Sequence, residues 1–401
     1  MPEIDLHRKN ALIAAIDLAC QQLELTETQY EEARKRYEGI AGWLADSDES
    51  LLESVIIRPQ GSARLRTTVR PLGRDEFDID LICFLPEGHP SYHTASTIYH
   101  TVGNRIKANS TYKRMAKPMN RCWRLEYADS ERFHMDITPA IYNPDCSNNG
   151  ILVPDRSVRE LKPSNPVAYA EEFDNTSKLI PLFKSFQSMQ FSEAMARSYI
   201  EPLPDRMDAK DLLRRIVQVC KRHRDIMFKD AQGYPPISVI ITTLVMFSYA
   251  DSVRRPHDTP WDFVLDVVEH MPSYIQISEI GPRRYSFHIP NPTTEGENFA
   301  EKWNEDPKRA QDFHLWHQRL CADFKGLADL GGGQDQIQNF LTERLTGPET
   351  KRAFDKQVDS VSHARTSGQL SRIIGTGGIA LAAGTPVRAN TFFGSHPENV
   401  R

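Results

Sequence analysis

Apolar and polar residues alternate along several stretches of this chain, and each such stretch predicts a strand. In residues 77–81 apolar side chains alternate with Asp78 and Asp80, the period of two that is typical of a strand. Residues 81–85 then form an unbroken apolar run, as in a strand at the centre of a sheet. Two further alternating stretches, joined by the turn-like residues 128–130, predict a hairpin over residues 121–139.

Other parts of the chain have the period of a helix. In residues 7–45 a stripe that includes Leu12, Ile16 and Leu23 predicts one or two long helices packed against the sheet. From about residue 176 the pattern is again mainly helical. In residues 207–228 apolar side chains lie on one side and charged ones on another. Strands followed by helices predict an α/β (α+β) fold.

Composition restricts the class of protein. The 401 residues carry a net charge of −5, which argues against a protein that coats nucleic acid. The six cysteines form no CxxC pair and no zinc-like cluster, a pattern that suits reduced thiols in a cytoplasmic protein. The first residues are too polar for a signal peptide, and no apolar run approaches the length of a membrane-spanning helix. We therefore expect a cytoplasmic protein without membrane contact.

The aspartates of the predicted strands suggest a metal site. On a strand, Asp78 and Asp80 point to the same face, where two like charges repel unless a cation neutralises them. Mg²⁺ in proteins is typically held by a few carboxylates together with substrate phosphates. If the hairpin lies beside the 77–85 strand, Asp136 joins them in a three-carboxylate site for two metal ions. Glu126 on the adjoining strand is the next candidate for the third ligand.

The Gly61-Ser62 pair precedes these strands and predicts a tight turn. Glycine allows close approach of the backbone to a phosphate, and the exposed N–H groups of such a turn can bind an anion. An isolated Gly-Ser is more often an ordinary strand-to-helix turn. The Asp-x-Asp pair later in the same stretch favours the phosphate interpretation.

A glycine-serine turn, Asp-x-Asp on a strand and a lone Asp on a later strand resemble the polymerase-β-like nucleotidyltransferases. The amino-acid sequences of six segments are similar to those of the bacterial CD-NTases, which are relatives of cyclic GMP-AMP synthase and oligoadenylate synthase. These segments are QGSARLRTTVRPLGRDEFDIDLICFLP, HMDITPA, KPSNPVAYAEEF, KRHRDIMF, PPISVIITTL and NPTTEGENFAEKW. They follow one another in order between about residues 58 and 325, which makes the resemblance specific.

The resemblance implies a division into two lobes. It predicts a nucleotidyltransferase lobe with a small mixed sheet and a long N-terminal helix over residues 1–175. An α-helical lobe follows over residues 176–330, and residues 331–401 form a C-terminal tail that packs on the lobes. The active site is expected in the cleft between the lobes.

The resemblance also implies roles for single residues. Asp78, Asp80 and Asp136 would be the catalytic, metal-binding carboxylates of the site. The donor triphosphate would be held by five residues in addition: Gln60, Gly61, Ser62, Lys221 and Ser238. From the residues alone, Lys221 belongs to a solvated helix face and Ser238 caps a helix.

The activity implied by the resemblance is synthesis of a cyclic di- or trinucleotide second messenger from nucleoside triphosphates, with release of pyrophosphate, in antiphage (CBASS-type) signalling. The implied cofactors are two Mg²⁺ ions, with Mn²⁺ as a substitute. The implied partners are ATP and a second nucleotide, an effector activated by the product, and a regulatory protein; a nucleic-acid activator is not indicated. Two alternatives are a nucleotidyltransferase acting on RNA or protein, and a non-catalytic nucleotide-binding relative.

Overall fold

The computed structural model describes residues 3–72, 77–127, 133–183, 211–230, 232–330 and 334–348, residue 351, and three short strands beyond residue 369. Within the described part of the chain, no helix is long and apolar enough to cross a membrane. The turn expected at residues 128–130 lies outside the described residues. Most of the expected C-terminal tail lies outside them as well.

A seven-stranded mixed sheet forms the first half of the molecule. Its strands are β1 (Ile56–Gln60), β2 (Phe77–Phe84), β3 (Ala116–Pro118), β4 (Trp123–Tyr127), β5 (Phe133–Tyr142), β6 (Ile151–Asp155) and β7 (Glu160–Ser164). The main path is β1-β2-β5-β4-β3, and β6 joins β7 to the end of β5. β2 and β5 are parallel, and the other neighbours are antiparallel. The small mixed sheet predicted from the sequence is confirmed.

Helices cover one face of this sheet and build the second half of the molecule. They are α1 (Glu3–Leu23), α2 (Glu27–Ala45), α3 (Gly61–Leu65), α4 (Ala95–Ala108), α5 (Ser110–Met115), α6 (Pro166–Ser177), α7 (Leu212–Phe228), α8 (Ser238–Ser252), α9 (Pro260–His270), α10 (Glu301–Glu305), α11 (Lys308–Asp329) and α12 (Gln334–Phe340). Shorter 3-10 turns occupy Ser50–Leu52 and Met271–Tyr274, and a π-helical turn occupies Leu341–Thr346.

The remaining strands form small pairs outside the main sheet. They are β8 (Leu182–Phe183) with β9 (Pro256–His257), β10 (Gln276–Gly281) with β11 (Arg284–His288), and a three-stranded group of β12 (Leu370–Arg372), β13 (Ile379–Leu381) and β14 (Thr385–Pro386).

Two large hydrophobic cores divide the molecule into lobes. One lies between the sheet and helices α2 and α4, with Leu81, Val102 and Met135 at its centre. The other joins α1, α7, α8, α9 and α11, with Trp261 and Trp316 fully buried in it. The long N-terminal segment contributes to both, because α1 packs in the helical core whereas α2 packs under the sheet. The prediction that this whole segment packs against the sheet is therefore wrong for α1.

The two faces of the sheet carry different side chains. Ile79, Leu81, Leu125 and Met135 point into the core beneath the sheet. The alternate residues of β2, β4 and β5 point to the other face, because successive side chains on a strand alternate between faces. This alternation leaves polar side chains at the beginning of β2 and β5 on the face away from α2 and α4. Further along the same face, Ile82 joins a small apolar cluster with residues of β5 and β6.

Candidate active site

Three aspartates meet on the face of the sheet away from α2 and α4. Asp80 on β2 lies directly beside Asp136 on the parallel strand β5, and Asp78 is paired with His134 two residues earlier along both strands. The hairpin expected over residues 121–139 pairs β4 with β5 and places β5 against β2. The long-range pairing required for a three-carboxylate site is therefore present.

Asp80 lies in an environment that disfavours a negative charge. Burial raises the pKa of Asp80 to about 7, and the negative charges of Asp78 and Asp136 act in the same direction. Arg124 and Lys221 oppose this effect without cancelling it. A carboxyl group in such surroundings binds either a proton or a cation near neutral pH.

Arg124 binds the third carboxylate. It lies opposite Asp136 in the β4–β5 register, and its Nε and Nη2 donate to Asp136 Oδ1 and Oδ2 at 2.8 and 2.7 Å. Asp136 is 9% exposed, so this bidentate pair is largely shielded from solvent. The sequence analysis missed Arg124, although the alternation within 121–127 and the hairpin register are signals that place it opposite Asp136.

The predicted donor turn lies directly against the carboxylates. Gln60 at the end of β1 is paired with Asp80, and its Nε2 donates to Thr138 Oγ1 at 3.5 Å. Gly61 follows with φ of +58°, and Ser62 lies in the first turn of α3. The structure thus brings these three predicted residues beside the aspartates, and their role in binding phosphate stays a prediction.

Gly61 is required for two independent reasons. Its positive φ is disfavoured for residues with a Cβ, and a Cβ built there would collide with Asp80 Oδ2. We expect Gly61→Ala to lower the free energy of unfolding by about 1–3 kcal/mol and to reduce nucleotide turnover at least tenfold. Thermal denaturation and the rate of pyrophosphate release measure both effects.

Gly42→Ala is the matched control. Gly42 lies within helix α2, and a Cβ at this position meets no atom within 4 Å. Because alanine favours a helix over glycine by about 1 kcal/mol, this variant should be slightly more stable and fully active. Equal activity of the two alanine variants would contradict the importance of the Gly61 conformation.

Lys221 reaches the same site from the helical lobe. It lies on α7, is 4% exposed, and its Nζ donates to Thr67 Oγ1 at 2.9 Å and to the Thr67 carbonyl at 3.3 Å. Burial and the charge of Arg224 lower the pKa of Lys221 to about 7, although Asp78 and Asp80 act against this. The interpretation of Lys221 as part of a solvated face is wrong, because α7 buries its polar stripe between the lobes.

Ser238 bonds to Arg224 on α7. Its Oγ accepts a hydrogen bond of 3.0 Å from Arg224 Nη1, which also donates to the carbonyl of Pro236. Ser238 is the first residue of α8, and Ile237 occupies the capping position before it. The alternative interpretation of Ser238 as a helix cap is therefore wrong. Arg224 lies one turn after Lys221 on α7. The sequence analysis missed it, because in the sequence it is one of several positively charged residues on the same helix.

The donor chemistry of the site fits divalent cations at the β2 carboxylates. Asp78 and Asp80 offer oxygen ligands on one face, and their mutual repulsion is relieved by a cation. Within the described residues, however, no group of three or more His, Cys, Asp or Glu side chains is preassembled around a metal position. In this arrangement the guanidinium of Arg124 binds the third carboxylate, Asp136. The identity of the metal ions stays a prediction.

The raised pKa of Asp80 predicts a pH-dependent stability. A carboxyl group with a higher pKa in the folded than in the unfolded protein stabilises the fold below its unfolded pKa of 3.8, and this stabilisation is lost as pH rises through about 7. In metal-free buffer we expect Asp80→Asn to melt about 2–4 °C above the wild type at pH 8, and by a clearly smaller margin at pH 5. Thermal denaturation at both pH values measures the difference, and an equal difference at pH 5 and pH 8 would argue against it.

Asp155→Asn should change the melting temperature in the opposite direction. Although burial opposes it, hydrogen bonds from Ser157 and Arg121 lower the pKa of Asp155 below its usual range. Such a group stabilises the fold above its unfolded pKa and loses this effect only as pH falls through the folded value. Asp155→Asn should therefore melt below the wild type by the same amount at pH 5 and at pH 8.

The sequence comparisons give two findings. Residues 13–176 match the family model of the Second Messenger Oligonucleotide or Dinucleotide Synthetase domain. A c-di-GMP synthase of Roseivirga ehrenbergii is 26% identical over 400 residues, which cover 98% of this chain and 99% of that protein. The domain match includes all of the strands β1 to β7 and the three aspartates.

Solved structures share the fold. The Bradyrhizobium diazoefficiens CD-NTase CdnG, in complex with GTP, superposes with a TM-score of 0.65 at 17% identity, over 87% of this chain and 99% of that one. Vibrio cholerae DncV in its apo form gives a TM-score of 0.51 at 16% identity, over 88% of this chain and 89% of that one. Both similarities span the two lobes.

Proposed function

We propose that this chain, a bacterial CD-NTase, joins two nucleoside triphosphates into a cyclic dinucleotide at the Asp78, Asp80 and Asp136 site. The observation that carries the proposal is the convergence of three parts on one face of the sheet. The carboxylates come from β2 and β5, the Gly61-Ser62 turn from the end of β1, and Lys221 from the helical lobe. A non-catalytic relative has no need to hold like charges together at this position.

The bond-forming step is a displacement at phosphorus. A ribose hydroxyl of the acceptor nucleotide attacks the α-phosphorus of the donor, the bond to the bridging oxygen breaks, and pyrophosphate leaves with the bonding electrons. A second displacement within the linear intermediate, which has turned round in the cleft, closes the ring. Each round forms one phosphodiester and releases one pyrophosphate and one proton.

Different residues of the site would act on the donor nucleotide and on the acceptor nucleotide. Asp78 and Asp80 would hold two Mg²⁺ ions, and Asp136 would complete the one on the acceptor side. When bound, such ions lower the pKa of the attacking hydroxyl and stabilise the entering and leaving oxygens. The backbone of the Gly61-Ser62 turn binds the donor phosphates, and the ammonium of Lys221 neutralises their negative charge.

The activity of the Roseivirga relative favours guanine nucleotides as the substrates. The Roseivirga protein is a c-di-GMP synthase, and it covers nearly the whole of this chain. We therefore propose GTP as a substrate in both positions, in place of the ATP expected from the sequence. Incubation with GTP alone, ATP alone and both, followed by mass spectrometry of the product, tests this choice. A cyclic product that requires ATP would overturn the assignment of two guanines.

Further roles follow from the product. A cyclic dinucleotide acts only through a receptor, so we propose a downstream effector that it activates, in antiphage signalling and in the cytoplasm. A regulatory protein partner and Mg²⁺ in place of other divalent cations are part of the same proposal. Replacing Mg²⁺ by Mn²⁺ or Ca²⁺ in the reaction tests the choice of metal.

A further inference from the structure

Helix α7 binds the segment Leu65–Arg70 with a row of buried polar side chains. This segment follows the donor turn and leads towards β2. Four donors on one side of α7 bond to its main-chain carbonyls: Arg214 to Leu65 at 3.0 Å, Gln218 to Thr68 at 3.0 Å, Lys221 to Thr67 at 3.3 Å, and Arg222 to Arg70. The donors recur at the spacing of one helix face, so the helical lobe holds this segment along its whole length.

Thr67 occupies a special position in this row. It is 0% exposed, and its hydroxyl and its carbonyl both accept hydrogen bonds from Lys221. Within the described residues, Thr67 supplies both hydrogen-bond acceptors of this ammonium group. A buried ammonium without acceptors is costly, so the hydroxyl of Thr67 stabilises the charged form of Lys221 in its present position.

Thr67 is also tied to the donor turn. Its backbone N–H donates to the Ser62 carbonyl at 2.9 Å, and the hydroxyl of the next residue, Thr68, donates to Ser62 Oγ at 3.2 Å. One residue therefore contacts both Lys221 and the turn that follows β1. It fixes the distance between two groups that come from different lobes.

We propose that Thr67 is a positioning residue, whose hydroxyl holds the ammonium of Lys221 beside the Gly61-Ser62 turn, ready for the donor triphosphate. The inference rests on the proposed function, because it takes the triphosphate to bind between these two groups. Without the hydroxyl, the ammonium of Lys221 loses one of its two acceptors, and orienting it uses part of the free energy of nucleotide binding. The effect should thus appear in donor affinity, while the chemistry at the aspartates is unchanged.

Thr67→Val and Thr67→Ser separate the hydroxyl from the shape of the side chain. Valine keeps the volume and removes the hydroxyl, whereas serine keeps the hydroxyl and removes a methyl group. We expect Thr67→Val to raise the apparent KM for the donor nucleotide about tenfold with kcat within about twofold, the tenfold change being about 1.4 kcal/mol. Thr67→Ser should stay within about twofold of the wild type in both. Pyrophosphate release against nucleotide concentration gives the two constants.

Thr346→Val is the control for removing a buried hydroxyl. Thr346 is also 0% exposed, and its Oγ1 donates to the Leu341 carbonyl at 2.9 Å, in the π-helical turn. The Thr346→Val variant should be less stable than the wild type, and its KM for the donor nucleotide should be unchanged. If Thr67→Val behaves in the same way, or if Thr67→Ser is as impaired as Thr67→Val, the positioning role is wrong. Thr67→Ala replaces the valine variant if that variant does not fold.

A binding measurement distinguishes failure of this inference from failure of the proposed function. Titration with a non-hydrolysable GTP analogue needs no turnover, and Thr67→Val should weaken binding about tenfold while Thr67→Ser does not. In the Lys221→Met background, Thr67→Val should have no further effect. A wild type that binds the analogue without forming product would refute the proposed function alone. A wild type that does not bind it would refute both.

Discussion

Asp78→Asn combined with Asp80→Asn is expected to abolish phosphodiester formation and to leave the fold intact. Both side chains lie on the face of the sheet away from α2 and α4, and asparagine keeps their shape while removing two negative charges that repel each other. Metal ions held by such carboxylates supply several kcal/mol of transition-state stabilisation, so turnover should fall on the order of 10³-fold or more. Pyrophosphate release and circular dichroism measure activity and fold on the same sample.

Asp46→Asn with Asp48→Asn is the matched control. These two aspartates are also separated by one residue, and both are exposed, at the end of α2. The same change in net charge should leave turnover unaltered there. Full activity of the β2 double variant would refute the catalytic assignment, and loss of its fold would show that the pair has a structural role.

The second large effect is expected at Asp136. Asp136→Ala should still bind a non-hydrolysable nucleotide with Mg²⁺ within about threefold of the wild type, because Asp78 and Asp80 remain. It should form phosphodiester at least about a hundredfold more slowly, because the acceptor hydroxyl is no longer activated. Asp78→Ala, in contrast, should weaken metal-dependent binding as well. Titration of both variants with the same analogue, with and without Mg²⁺, separates the two roles.

The ion pair with Arg124 complicates the stability of this variant. Removing Asp136 leaves the partly exposed guanidinium without its bidentate partner, which costs about 1–3 kcal/mol. Adding Arg124→Gln to Asp136→Ala should reverse part of the loss in melting temperature without restoring turnover. If Asp136→Ala turns over nucleotide at the wild-type rate, the third ligand lies elsewhere. Glu126 on β4, which is bound to Lys117, is then the first residue to examine.

The arrangement of the three aspartates was largely predictable from the sequence. The period of two around Asp78 and Asp80 shows that they share a face, and a short hairpin fixes the strand that carries Asp136. These relations are local, or require only one strand pairing between stretches of strong β pattern. The central position of β2 followed from its apolar run for the same reason.

The contacts between the lobes could not be predicted in this way. Lys221 and Thr67 are 154 positions apart, and no pattern in either segment indicates the other. A charged stripe on a helix has the same sequence whether it faces water or the polar backbone of a buried segment, so α7 was misread. In the same way, the apolar stripe of α1 shows that one face is buried but not that its neighbours are α7 and α9.

Synthesis of a cyclic product can be tested in one reaction. The purified protein is incubated with α-³²P-labelled nucleoside triphosphates and Mg²⁺, treated with phosphatase, and the remaining label is separated. Phosphatase removes terminal phosphates and leaves the label of an internal phosphodiester in place, so mass spectrometry of the resistant product is used to distinguish a cyclic from a linear dinucleotide. We expect a cyclic product that is absent from Asp78→Asn/Asp80→Asn. Release of all the label as inorganic phosphate, or its recovery in RNA or protein, would contradict cyclic dinucleotide synthesis by this protein.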